Sequence, residues 1–506
     1  MIDPPPKIIG SFLREVMLLL LTVMAQFLCQ GGITMSLTPM NLIMESFHSV
    51  EETAKVWFMG SFALTVGTFI LISGRLGDIY GLKLILLIGW AWVFVWSLIT
   101  GCSVYVDSVI FFIICRAFQG IGFALVMPCA LGILGTVYDG HSRKNLAFGL
   151  MGAGGPTGAT IGALMAAVVS QLAWWPWSYW LLAIVAFGIC ILSYFFVPNV
   201  NELQRRGGHT KPRFDWIGST LGVSGLILFN FVWNQGPVVG WGTAYIIVLL
   251  PISVAFIIAF FIAELKFVKS PLLPKTIFNR RIGLVLLCMG LGWGSFGVWQ
   301  FYYWNYILNL RQYTPINAGL SYLPFFVLGT IASLTVSYII KLTKPSYLIM
   351  FSMLAFMSGG IMLVCTPVHQ SFWQMTFGMQ FILCWAMDLS FPAAAIILSN
   401  YLPLHHQGMA GSLLSTVVNY SVSLFLAMSS TVEIQTMKHT HDVLKSYKGA
   451  LYFSIGVAAL GVMFAAVFIF VQRHDDVGAD FTPQVSNTSD EKESVSQETT
   501  RMVAKV

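Results

Sequence analysis

Charge is what this sequence has least of. Only 9% of its 506 residues are charged, where soluble globular domains carry roughly 25%. Hydrophobic residues make up 57%, and the mean hydropathy is +0.78. A surface so poor in charge cannot face water throughout. A soluble fold is thereby excluded, and helices whose outer faces meet lipid are implied. Paired cysteines are lacking too. The eight present (Cys29, Cys102, Cys115, Cys129, Cys190, Cys288, Cys365 and Cys384) lie within or at the ends of apolar segments, and none forms a CxxC pair. Buried structural thiols are the reading that fits, rather than a disulfide scaffold or a metal site. No metal-ligand spacing and no catalytic constellation in a polar domain is present, so the chain reads as neither an enzyme nor a cofactor protein. The net charge of +6 does not build a nucleic-acid surface, because the basic residues sit in short stretches between apolar runs. The first apolar stretch is long and followed by others, so it reads as a retained helix and not a cleaved leader.

What is abundant is the apolar run. Fourteen recur, at about 16–38, 55–73, 84–101, 108–137, 146–169, 177–197, 216–233, 244–263, 283–305, 318–339, 347–365, 373–398, 409–430 and 450–472. Each is long enough to cross about 30 Å of hydrocarbon as a helix. With the N-terminus placed in the cytosol, 21 of the 27 Lys and Arg fall on the cytosolic side. That alternation supports fourteen spans with both termini inside. Residues 1–15 form a short cytosolic segment, 16–197 hold the first six spans, 198–282 cytosolic loops and two further spans, and 283–472 the last six spans. The polar stretch 473–506 reads as a disordered tail.

A few polar residues lie where hydrocarbon should exclude them. Arg116 sits about 12 Å into the fourth span at 1.5 Å per residue. A guanidinium at that depth must cap carbonyls or face a wet cavity. Gln119 shares its helix face. Asp388, near the middle of the twelfth span, is the only acid at its depth. It can carry protons as access alternates, or hold helices together beside Pro392. Asp215, Glu264 and Glu433 read as helix-end residues. The ninth span is crowded with aromatics, among them Trp299 and Tyr303, some of which should contact a substrate.

Glycine has its own pattern. The segment GLMGAGGPTGATIGAL contains Gly149, Gly152, Gly155, Pro156, Gly158 and Gly162. Spacings of three and four put several glycines on one face, where helices can approach closely, and Pro156 can kink the helix. After the second span comes GRLGDIYGLKL, with Gly74, Arg75, Asp78, Gly81 and Lys83. It reads as a tight loop whose charges can form a conformational latch.

Three of these motifs carry a resemblance. Gly74, Asp78 and Gly81 match the strongest positions of the signature between helices two and three of the major facilitator superfamily, and Arg75 and Lys83 fit it loosely. RAFQGIGFA at 116–124 resembles its fourth-helix signature. GAGGPTGATIG resembles its antiporter signature, with Gly155 and Pro156 as the Gly-Pro pair. Fourteen spans, with Asp215-Trp216-Ile217-Gly218 opening the seventh, are similar to the drug:proton antiporter group with two extra central helices. The pattern is most similar to the fungal aminotriazole- and boron-resistance exporters and the related low-affinity ammonium transporter.

The resemblance implies an all-α membrane fold of two pseudosymmetric six-helix bundles, with helices seven and eight between them. It also implies a monomer in lipid that exports a small-molecule substrate, a small polar solute or drug-like compound, in exchange for protons by alternating access. Arg116, Gln119, Gln30, Trp299 and Tyr303 become substrate or cavity candidates, and Asp388 the proton-coupling candidate. The implied compartment is the plasma membrane, with the vacuolar membrane as the alternative. One departure stands out: the group usually has an Asp late in helix one, and Gln30 occupies that position in CQGGITMSLTP. An amide cannot titrate, so proton coupling must use another group, or the protein facilitates diffusion of a solute such as ammonium or boric acid. A non-transporting membrane receptor or scaffold is the third reading; it gives Arg116 no charged ligand to bind and the loop latch no cycle to gate.

Overall fold

The computed structural model describes residues 10–47, 52–139, 141, 143–200, 214–268, 271–273, 275–401 and 407–480. Among these residues every regular element is helical. Fourteen helices are long and apolar enough to cross a membrane, as the sequence indicates. They are α1 (Phe12–Thr34), α2 (Lys55–Tyr80), α3 (Leu82–Cys102), α4 (Val109–Val137), α5 (Lys144–Leu172), α6 (Pro176–Phe196), α7 (Trp216–Val239), α8 (Ala244–Ile262), α9 (Arg280–Asn305), α10 (Leu323–Leu342), α11 (Pro345–Cys365), α12 (Phe377–Tyr401), α13 (Gln407–Thr440) and α14 (Val443–Asp480). The face at which α1 begins is called the terminal face below.

Two boundaries differ from the sequence reading. The segment GRLGDIYGLKL is not a loop. α2 runs through Tyr80, Gly81 alone turns the chain at φ +109°, and α3 starts at Leu82. A helix can reverse through one residue only where the left-handed region is accessible, and glycine supplies it. α14 also continues to Asp480, past the expected boundary at 473. Residues 481–506 lie outside the described set.

The packing pairs repeat. Within the first bundle α1 packs on α5, α2 on α4, α3 on α4, and α3 on α6. Within the second, α9 packs on α13, α10 on α12, α11 on α12, and α11 on α14. Adding eight to each helix number converts one set into the other, which is the pseudosymmetry of a repeated six-helix unit. Pro128 in α4 and Pro392 in α12 fall on equivalent helices. The bundles meet along two equivalent seams, α2 on α13 and α5 on α10. α7 packs on α8 and lies against both α2 and α13. α8 turns Ile247, Val248, Ile258 and Phe261 outward, as a helix with lipid for solvent does.

Small residues set the seams. On α5 the glycines face α1: a Cβ at Gly158 would overlap the Phe27 backbone, and one at Gly162 would overlap Gly31. Close backbone approach of this kind is how helices associate where no hydrophobic gain is available. Gly149 and Gly152 have nothing within 4 Å of the Cβ position, so the glycine seam covers only part of the motif.

Candidate functional site

The middle of the α5–α10 seam is a place where the two bundles meet beside polar side chains. Pro156 of α5 abuts Gly329 of α10; a Cβ on Gly329 would lie 2.5 Å from the Pro156 Cβ and 3.7 Å from Asp388 Oδ2. Asp388 stands on α12 and is partly exposed. Its Oδ1 accepts from the Ser333 hydroxyl at 2.9 Å. Its Oδ2 is buried and has no hydrogen-bond partner. On the α1 side of Pro156, a Cβ on Gly155 would lie 3.5 Å from Gln26 Nε2. Gln26 and Gln30 are one helical turn apart on α1 and partly exposed. An unburied amide halfway along a membrane helix needs water or a solute to bond. Gln26 and Asp388 thus flank the Pro156–Gly329 contact from opposite bundles.

The charged residue best placed by sequence, Arg116, lies elsewhere. It is fully buried. Its Nη2 donates to the Gly32 carbonyl at 2.5 Å, and its Nε to the Phe58 carbonyl at 3.3 Å. It also donates to Gln119, whose Nε2 reaches Ser97 at 2.7 Å. Its guanidinium lies over the rings of Phe62 and Tyr179. In this conformation Arg116 and Gln119 form a polar knot that ties α1, α2, α3 and α4, with no surface toward the seam. Of the sequence's two readings for Arg116, this geometry has the form of the carbonyl cap.

The aromatic candidates are buried as well. Trp299 is 1% and Tyr303 0% exposed. Phe296, Trp299 and Tyr303 stack in sequence along α9, with centroids 5.7 and 5.0 Å apart. The Tyr303 hydroxyl meets the Ser321 hydroxyl at 2.9 Å and accepts from Gln380 at 2.8 Å. Trp293 is the partly exposed member of this face, donating to Ser390 at 3.1 Å. Gln26, Ser333 and Trp293 were not singled out from sequence. Gln26 carried a usable signal, being four residues before Gln30.

Two of the expected latch residues, Gly74 and Lys83, face different neighbours. A Cβ on Gly74 would lie 3.0 Å from Ser412 Oγ on α13, so this glycine sits at the other seam. Lys83 stays inside its own bundle, donating to the Tyr194 carbonyl at 2.8 Å. Arg75 is partly buried and Asp78 exposed in the last turns of α2.

The bundles are joined at the face opposite the termini. Asn41 donates to Asn309 at 2.7 Å, and Ile316 N–H donates to Gln171 Oε1 at 2.9 Å. Toward the terminal face, the Cβ positions of Gly149 and Gly152 of α5 meet nothing within 4 Å. Gln26, Gln30 and Asp388 thus form a central polar strip between the bundles, with the Asn41–Asn309 and Ile316–Gln171 contacts on the side opposite the termini.

Comparison with known proteins agrees with this architecture. The chain is 47% identical over 460 residues to the aminotriazole resistance protein of Saccharomyces cerevisiae, covering 90% of this chain and 84% of that protein. It is 42% identical over 468 residues to the low affinity ammonium transporter of the same yeast, covering 92% and 90%. It is 35% identical to the efflux pump terJ of Aspergillus terreus, covering 90% and 88%. Among solved structures a point mutant of the nucleoside transporter NupG aligns at TM-score 0.60 and 9% identity, over 90% of this chain and 99% of that one; this likeness concerns the fold alone. The model of the Major Facilitator Superfamily matches residues 19–425. With paired bundles, a central polar strip and this match, the chain belongs to the Major Facilitator Superfamily and is a multi-pass membrane transporter of small molecules.

Proposed function

We propose that this transporter exports a small polar or drug-like solute in exchange for protons, by alternating access, with Asp388 carrying the proton. It works as a monomer in the plasma membrane with both termini cytosolic. The observation that carries this reading is the position of Asp388. It is a carboxylate with one free oxygen, beside the contact of Pro156 with Gly329. A proton gained or lost there changes the charge next to the point where the bundles must part. Differential stabilisation of two states is what couples an ion gradient to a conformational cycle. The strip offers one carboxylate and amides, while Arg116 is turned away, so a neutral or cationic solute suits it better than an anion. Gln26 and Gln30 supply hydrogen bonds from the first bundle. Arg116 acts at a distance, by holding α1 and α2 in register.

The names of the relatives span aminotriazole resistance, ammonium transport and efflux, so the test panel contains aminotriazole, methylammonium and boric acid. In liposomes with an imposed pH gradient, the wild type accumulates a solute uphill and Asp388→Asn does not. Flux that merely equilibrates the solute, in both proteins and at any gradient, would sink the antiport reading. It would favour the facilitator, which the presence of Gln30 in place of a first-helix carboxylate already motivates.

A further inference from the structure

The linker hairpin holds two buried carboxyl groups for which the transport path has no use. Asp215 precedes α7 and is 7% exposed; Glu264 follows α8 and is 1% exposed. Asp215 Oδ1 caps α7, accepting from the Gly218 N–H at 2.9 Å. Glu264 Oε2 accepts from the Leu273 N–H at 3.1 Å, in the stretch that leads into α9. One oxygen of each group is thus accounted for. The other two, Asp215 Oδ2 and Glu264 Oε1, are buried and meet no donor.

Both point at one spot. A Cβ on Gly218 would lie 2.6 Å from Glu264 Oε1 and closer still to Asp215 Oδ2. The Asp-Trp-Ile-Gly sequence thereby acquires a reason for its glycine, since a methyl group there would displace both oxygens.

The surroundings supply no cation among the described residues. α7 has no charged side chain. Lys266, just past α8, is exposed. Arg75 and Asp78 of α2 have interactions of their own. The described side chains of α13 are uncharged until Glu433, near its other end, and residues 271–273 are Pro-Leu-Leu. Two ionised carboxylates facing each other away from water repel and can only accept hydrogen bonds. One proton between them replaces that repulsion with an O–H···O bond.

We propose that Asp215 and Glu264 form a proton-binding pair, separate from Asp388, that fastens the α7–α8 hairpin to the stretch leading into α9. The pair gains one proton and loses it as a unit, with no other co-reactant. It is independent of the transport reading, and its test removes Asp388 from the signal. Full-length Asp388→Asn protein in lipid bilayers is compared by infrared difference spectroscopy between acid and alkaline buffer. A band of a buried protonated carboxyl, shifted by deuterium, is expected. It should vanish in Asp388→Asn/Glu264→Gln, where the new amide still donates to Asp215 and holds the hairpin. It should also vanish in Asp388→Asn/Gly218→Ala, which keeps both carboxyls but separates them. The same band in all three proteins, or no such band in Asp388→Asn alone, overturns the proposal.

Discussion

Pro156 and Gly329 touch across the two bundles, and the free oxygen of Asp388 lies against the same glycine. A methyl group at 329 has nowhere to go without moving α10 away from α5. Overpacking of this kind costs about 1–3 kcal/mol. Gly329→Ala is therefore expected to lower transport by roughly tenfold while the protein remains folded. Initial flux rates in proteoliposomes, paired with a melting curve, check this. A normal rate would mean that the contact is not closed during the cycle.

The coupling role of Asp388 separates from substrate binding in exchange experiments. Asp388→Asn should lose gradient-driven uptake and keep solute-for-solute counterflow. Asp388→Glu should retain some coupling, because the carboxyl survives. Loss of counterflow in Asp388→Asn would assign the residue to solute binding instead.

Arg116 should behave as a structural residue. Its bonds to the carbonyls of Gly32 and Phe58 are charge-assisted and buried. Removing the guanidinium takes the donor from the Gly32 carbonyl and one of two side-chain donors from the Phe58 carbonyl, which keeps Ser36, and costs on the order of 3 kcal/mol. Arg116→Ala should melt well below the wild type. Arg116→Lys should recover only part of the loss, since an ammonium cannot reproduce the planar fork. A variant with wild-type melting and an altered apparent affinity would instead place Arg116 in the solute site.

The Asn41–Asn309 bond joins the bundles at the face opposite the termini. Alternating access requires this contact to break. Asn41→Cys/Asn309→Cys, treated with a short bifunctional thiol reagent, should lose transport. Each single cysteine variant should be indifferent to the reagent. Undiminished flux in the cross-linked double variant would show that this face does not open.

The two ends of the glycine motif should respond oppositely. Gly162 lies against Gly31 of α1, whereas Gly149 has no neighbour within 4 Å of its Cβ position. Gly162→Leu should abolish recovery of folded protein in size-exclusion chromatography, and Gly149→Ala should leave it unchanged. Equal tolerance at both positions would remove the seam from the account.

Much of the fold was legible in one dimension. Runs of about twenty apolar residues report helices directly, because the bilayer imposes both the length and the internal hydrogen bonding. The alternation of Lys and Arg checked the span count. Errors fell where that rule has no grip. Tyr80 and Asp480 extend helices into polar sequence at the membrane boundary, where a helix is as acceptable as a loop.

The site was legible only in part. Sequence singled out Asp388 because a charged residue in an apolar run stands out whatever its neighbours are, and Gln30 because it takes the position where the resembled group has an Asp. It could not sort Arg116 from Asp388, nor see Gln26 and Ser333. Depth along a helix is a property of one chain segment. Direction around the helix depends on which partner covers each face. Arg116 is turned into carbonyls by the approach of α1 and α2, and Asp388 toward the seam by the packing of α10 on α12. Composition and spacing alone determined that this chain has fourteen spans long enough to cross a membrane, and its motifs carried the resemblance that implies two repeated bundles. Which of its few polar groups face each other across the bundles was decided by tertiary packing, since only the assembled helices bring residues 156, 329 and 388 to one point.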